Sequence, residues 1–171
     1  AVSVDDFTIG YGIVGTGADG NTYQNSTSGD LNAKNVYGGN NAGGTSSNPI
    51  VTIGGGNIEN VFGGGNEVAV TKTNVNIQNG NIGNVFGGGN AAGVDQNTLV
   101  AITGGTINVN AYGGGNDGTV TGNTVITMNG GTITGSIYGG GNGSTAVVNG
   151  NTNLTIEGTS IIGSTSSTPP T

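Results

Sequence analysis

Phe62-Gly63-Gly64-Gly65-Asn66 returns 24 residues later as Phe86-Gly87-Gly88-Gly89-Asn90. The phrase comes again at Tyr112 to Asn116 and at Tyr138 to Asn142, and Tyr37-Gly38-Gly39-Asn40 is a shorter copy upstream. The aromatic positions 37, 62, 86, 112 and 138 are separated by 25, 24, 26 and 26 residues. A fixed period in the range of about 20 to 50 residues marks a solenoid, propeller or array, and it governs every local reading.

Around each copy the rest of the unit repeats as well. Val51-Thr52-Ile53, Val75-Asn76-Ile77, Val100-Ala101-Ile102 and Ile126-Thr127-Met128 alternate in the manner of a strand with one buried face, and Leu154-Thr155-Ile156 starts a fifth. Five residues after each comes a further isoleucine, at 58, 82, 107, 133 and 161. Asn79-Gly80 and Asn129-Gly130 lie between, suiting corners that need positive φ. A third apolar site follows each glycine run, at Val70, Val94, Val120 and Val147. Each unit thus holds three short apolar segments and three turns.

A parallel β-helix explains that count, because each strand then pairs with its equivalent one coil away, at a spacing of about 4.8 Å. The expected fold is all-β: a single β-solenoid over residues 30–164, with about five coils of 24–28 residues and three short strands per coil. Equivalent residues stack in columns. Tyr37, Phe62, Phe86, Tyr112 and Tyr138 form an aromatic ladder, and Asn40, Asn66, Asn90, Asn116 and Asn142 form an amide ladder at a corner. The triple glycines read as that corner, glycine being the default where φ must be positive. A propeller blade needs about 40 residues or more, and calcium-binding nonapeptide rolls need a nine-residue step that is absent here.

On this period and these ladders the sequence resembles the right-handed parallel β-helix proteins, the broad pectate-lyase-like and adhesin class. The resemblance covers about residues 30–164 and includes no catalytic motif of that class. It implies a right-handed coil and an extracellular, surface-exposed setting.

Composition removes several functions. The net charge is −7, the only cations are Lys34 and Lys72, and a nucleic-acid interface needs a basic footprint. Cysteine and histidine are absent, so there is no disulfide framework, no thiolate metal site and no imidazole base. No apolar run approaches the roughly 20 residues of a membrane span. With no charged and apolar leader ahead of Ala1, the reading is of a secreted chain in mature form.

Residues 1–29 stand outside the repeat. Val2, Val4, Phe7 and Ile9 read as one strand that continues towards Val14 and could pair with a neighbouring subunit. Gly15-Thr16-Gly17-Ala18-Asp19-Gly20 has the letters of a dinucleotide fingerprint, but no helical period follows it, so it reads as a loop. Residues 165–171 read as a Ser/Thr/Pro tail.

Carboxylates are the only catalytic candidates. Glu67 and Asp117 stand two coils apart, near the upper separation of an inverting glycosidase pair, yet the plainer reading is solvated turn residues. No catalytic residue is assigned. Hard oxygens at Asp19 with Asn21, or at Asn116 with Asp117, leave Ca2+ as the one cofactor the sequence could serve. The expectation is a non-catalytic extracellular structural protein, assembling as a homopolymer through its solenoid ends and N-terminal strand. A carbohydrate-binding or adhesin module taking a glycan partner is the alternative. A polysaccharide-acting enzyme, or ice binding on the Asn57/Asn81/Thr106/Thr132 column, stands behind both.

Overall fold

The structure is a computed structural model that describes residues 32–163 and the backbone of three strands upstream, β1 (Ser3–Asp5), β2 (Ile13–Thr16) and β3 (Thr22–Asn25). Among the described residues there is no helix. From β4 (Asn32–Tyr37) onward the chain winds as a parallel β-solenoid of about five turns, each of about 25 residues. The alternating segments found in the sequence are its strands.

One side of each coil is formed by the first halves of β5 (Ile50–Phe62) and β6 (Thr73–Phe86), then by β7 (Thr98–Ile102), β10 (Thr124–Met128) and β13 (Thr152–Ile156). Val51, Val75, Val100, Ile126 and Leu154 are mutual register partners there, as are Ile53, Ile77, Ile102, Met128 and Ile156. A second side stacks the start of β4 and the middles of β5 and β6 with β8 (Thr106–Ile107), β11 (Thr132–Ile133) and β14 (Ile161–Ile162). A third stacks the ends of β4, β5 and β6 with β9 (Asn110–Tyr112) and β12 (Ser136–Tyr138). In β5 and β6 the second and third sides merge with the first into strands of 13 and 14 residues; later coils break them into three. Because side chains alternate along a strand, the inward members of all three sides meet in one continuous apolar core.

The two glycine classes do different jobs. Gly56, Gly80, Gly105 and Gly131, at one corner of successive coils, have φ of 92°, 105°, 78° and 81°, a region closed to most side chains. The triple glycines do not have positive φ, which corrects the expectation that they exist for a left-handed corner. They exist for space: a Cβ on Gly64, Gly88 or Gly114 would stand 2.9, 2.7 or 2.8 Å from the backbone of the next coil's glycine run. Beside them Thr73, Thr98 and Thr124 are buried, and each Oγ1 donates to a glycine carbonyl, of Gly87, Gly113 and Gly139 respectively. That satisfies a hydroxyl and a carbonyl that burial would otherwise leave unpaired.

Three columns shift from their expected members. Asn41, not Asn40, holds the first rung of the amide ladder. The first copy has two glycines instead of three, so Asn40 takes the third glycine's place: Asn66 N donates to Asn40 O as Asn90 N donates to Gly65 O. Ile162, not Ile161, pairs with Ile133, because the last turn carries one extra residue around Gly158. Val148, not Val147, continues Val70, Val94 and Val120, since the last glycine arm is longer and turns Val147 outward.

The described parts of the N-terminal segment are short strands that pair within this chain. β1 runs antiparallel to β4, with Val4 opposite Val36, and β2 runs antiparallel to the start of β5, with Ile13 opposite Ile53. β3 pairs antiparallel with β2, so a strand stands where a nucleotide fingerprint requires a helix. Val2, Phe7, Ile9, Asp19, Asn21 and the tail at 165–171 lie outside the described residues.

Candidate functional site

The third side of the solenoid carries a row of stacked rings and a ladder of bonded amides. On it Val36, Val61, Val85 and Ala111 point into the main core, so their strand neighbours point the other way. One neighbour set is the aromatic ladder; the other is Asn35, Asn60, Asn84 and Asn110.

The rings of Tyr37, Phe62, Phe86, Tyr112 and Tyr138 stack with centroids 5.0, 4.8, 4.9 and 5.0 Å apart and planes within 14° of parallel. The spacing is the interstrand repeat itself, imposed by backbone register. The first four rings are only 3–7 % exposed and form a cluster separate from the main core. Each interior ring has both faces covered by its neighbours, so the row offers no flat platform for a sugar along its length. Tyr138 alone keeps an open face, at the end of the row.

Two amide ladders flank the rings. At the glycine corner Asn66 Nδ2 donates to Asn41 Oδ1 at 2.8 Å, Asn90 to Asn66 at 2.7 Å, Asn116 to Asn90 at 2.9 Å and Asn142 to Asn116 at 2.8 Å. On the strand side Asn60 donates to Asn35 at 3.0 Å and Asn84 to Asn60 at 3.1 Å. There Asn110 donates instead to the Tyr112 hydroxyl, at 3.0 Å. The sequence reading missed this second ladder, although its spacings of 25, 24 and 26 residues repeat those of the rings. On the second side Asn57 donates to Asn32 and Asn81 to Asn57, so the column considered for ice binding begins as a third bonded amide row.

Between the two ladders that flank the rings runs a groove of about 270 Å3, walled by Asn60 and Asn84 on one side and by Asn90 and Asn116 on the other. Asn60 and Asn90 each spend one N–H and one carbonyl lone pair along their ladders and retain a second of each, Asn84 spends only an N–H, and Asn116 gives its second N–H to Asp117 Oδ2. The groove can therefore donate and accept hydrogen bonds; Lys34 and Tyr37 also line it, and among the described residues no carboxylate does.

The acids lie elsewhere. Backbone register puts Glu67 and Asp117 in one exposed column with Ala91 between them, two interstrand steps of about 4.8 Å apart. Asp95 belongs to another position, where its N–H donates to Val70 O. Of the expected cation site at Asn116 and Asp117, the Asn116 carbonyl already accepts from Asn142, and its amide donates to Asp117 Oδ2 at 3.2 Å. Among the described residues there is no group of three or more acidic, histidine or cysteine ligands, and no helix long and apolar enough to cross a membrane.

No protein-family model, curated protein or solved structure matches this chain. The parallel stacking is that of a β-solenoid, while kinship with the pectate-lyase-like or adhesin class is not supported by any match.

Proposed function

We propose that the chain is a non-catalytic structural protein of the cell exterior, a β-solenoid that serves as a self-assembling fibre subunit or a surface stalk. The observation that carries this reading is the coil-to-coil use of its polar side chains. The asparagines that a binding or catalytic site would deploy are bonded to their equivalents one coil away, so they hold the rod together. Such a chain resists deformation along its axis and presents strand edges only at its ends. Ca2+ has no part in this reading.

The amide groove favours a second reading, in which an extended polyhydroxylated chain lies along the solenoid axis and bonds to the spare amide groups. One experiment separates the two. Concentrated protein is imaged by negative-stain electron microscopy and the same preparation is applied to a glycan array. End-joined rods or fibres with an empty array support the structural reading. Saturable binding of a defined glycan, lost in Asn90→Ala, would replace it with the second.

A further inference from the structure

The two ends of the solenoid are chemically unlike. At the N-terminal end the chain covers its own edge: β2 and then β3 extend the first side beyond β5, and β1 covers β4. The outermost strand on that side is β3, whose sequence Thr22-Tyr23-Gln24-Asn25 is largely polar. A polar outer strand is how repeat proteins close an end.

The C-terminal end has no such cover among the described residues. β13 pairs with β10 on one edge, and no described strand pairs with its other edge. Leu154 and Ile156 continue core columns whose members are fully buried in the coil below, yet they are 40 % and 48 % exposed. Ile162 and Tyr138 end their columns at 38 % and 46 %. An unpaired strand edge beside an apolar surface is a template for another chain.

We infer that this end is a self-association surface, on which a second copy of the chain docks tail to tail through antiparallel pairing of β13 with the partner's β13. The inference rests on the structural reading above and narrows it to a closed, end-joined pair of rods in place of an open-ended fibre. Three features select this occupant. First, the chain closes its other end with antiparallel strands, which shows that a coil edge of this solenoid accepts that pairing. Second, β13 is self-complementary. With Leu154 opposite Leu154 of the partner subunit, Thr152 falls opposite the partner's Ile156, so inward positions meet inward positions and the register keeps one apolar face. Glu157 then falls opposite the partner's Asn151, so no like charges are opposed. Third, a head-to-tail stack would set Leu154 and Ile156 against the Thr-Tyr-Gln-Asn strand of the next copy, whereas a tail-to-tail pair sets apolar against apolar. The arrangement is isologous and therefore closes at two copies.

The test is sedimentation equilibrium of the full chain over a wide concentration range, combined with amide hydrogen exchange at Asn153–Ile156. A monomer–dimer equilibrium is expected, with protection of these amides rising as dimer forms. Leu154→Asp should weaken dimerisation ~100-fold, the scale of burying an unpaired charge. Leu99→Asp, on the outer face of β7, should leave it unchanged. Ile156→Lys supplies the same readout if Leu154→Asp fails to fold. Monomer at every concentration, or a dimer indifferent to both end variants, would overturn the inference. Protection already complete in the dilute monomer would also overturn it, because the chain's own tail would then cover the edge. Open-ended fibres would overturn the tail-to-tail pair while leaving the structural reading standing.

Discussion

The third and the last coils of this solenoid carry the same repeat and have opposite environments. Val100, Ile102 and Ile107 are fully buried; their column mates Leu154, Ile156 and Ile162 are more than a third exposed. Gly114 stands against the backbone of Gly141, whereas a Cβ on Gly140, its equivalent one coil on, would meet nothing within 4 Å. The sequence of a coil therefore does not bury it; the coil above does. Stability in such a chain is a sum of neighbour interfaces, and a residue's energetic weight depends on its place in the stack.

That contrast can be broken by paired substitutions measured in dilute solution. The largest effect is expected for Ile107→Ala, which should cost ~2–5 kcal/mol through the cavity it leaves between two coils. Leu154→Ala in the terminal coil should cost well under half as much by the same chemical denaturation. Next come the glycines. Gly114→Ala should cost about 3 kcal/mol, since its Cβ falls on backbone that the register cannot move, while Gly140→Ala should cost only a few tenths. If the two alanines cost the same, the space argument for the triple glycines fails. Asn90 is a donor to Asn66 and an acceptor from Asn116, so Asn90→Ala should cost about 2 kcal/mol and Asn142→Ala about half that. The smallest effect is expected at Gly43, which has φ of 70° and open space around it. Gly43→Asn should change stability by no more than about 0.5 kcal/mol, because asparagine tolerates the left-handed region. If the C-terminal ends associate as inferred, the terminal-coil values should rise with protein concentration and the interior ones should not.

Much of this architecture is written in the sequence, for a plain physical reason. Parallel coils force equivalent residues into columns, so the 24-to-26-residue period that places Phe62 over Tyr37 also places Ile77 over Ile53. The same logic misleads wherever one coil gains or loses a residue. The missing glycine before Asn40 moved the ladder to Asn41, the longer final arm moved the apolar site from Val147 to Val148, and the extra turn residue exchanged Ile161 for Ile162. Spacing alone cannot say on which side of a column an insertion falls; hydrogen-bond register does.

The polar columns were harder to read. Asn60 and Thr98 each repeat over four coils, but asparagine and threonine are common throughout this chain, so their periodicity stands out less than that of the rings. The role of the triple glycines was misassigned for a related reason. A glycine required for φ and one required for space look identical in sequence, and only the distance from a hypothetical Cβ to the next coil separates them.

The stacked register is the claim on which the rest depends, and methyl NOE spectroscopy on Ile-, Leu- and Val-labelled protein tests it most directly. The account predicts an unbroken chain of contacts, Val75 to Val100, Val100 to Ile126 and Ile126 to Leu154, with a parallel chain from Ile82 through Ile107 and Ile133 to Ile162. Contacts from Ile133 to Ile161 with none to Ile162 would contradict the register of the last coil. Absence of the Val100–Ile126 contact would contradict the solenoid itself.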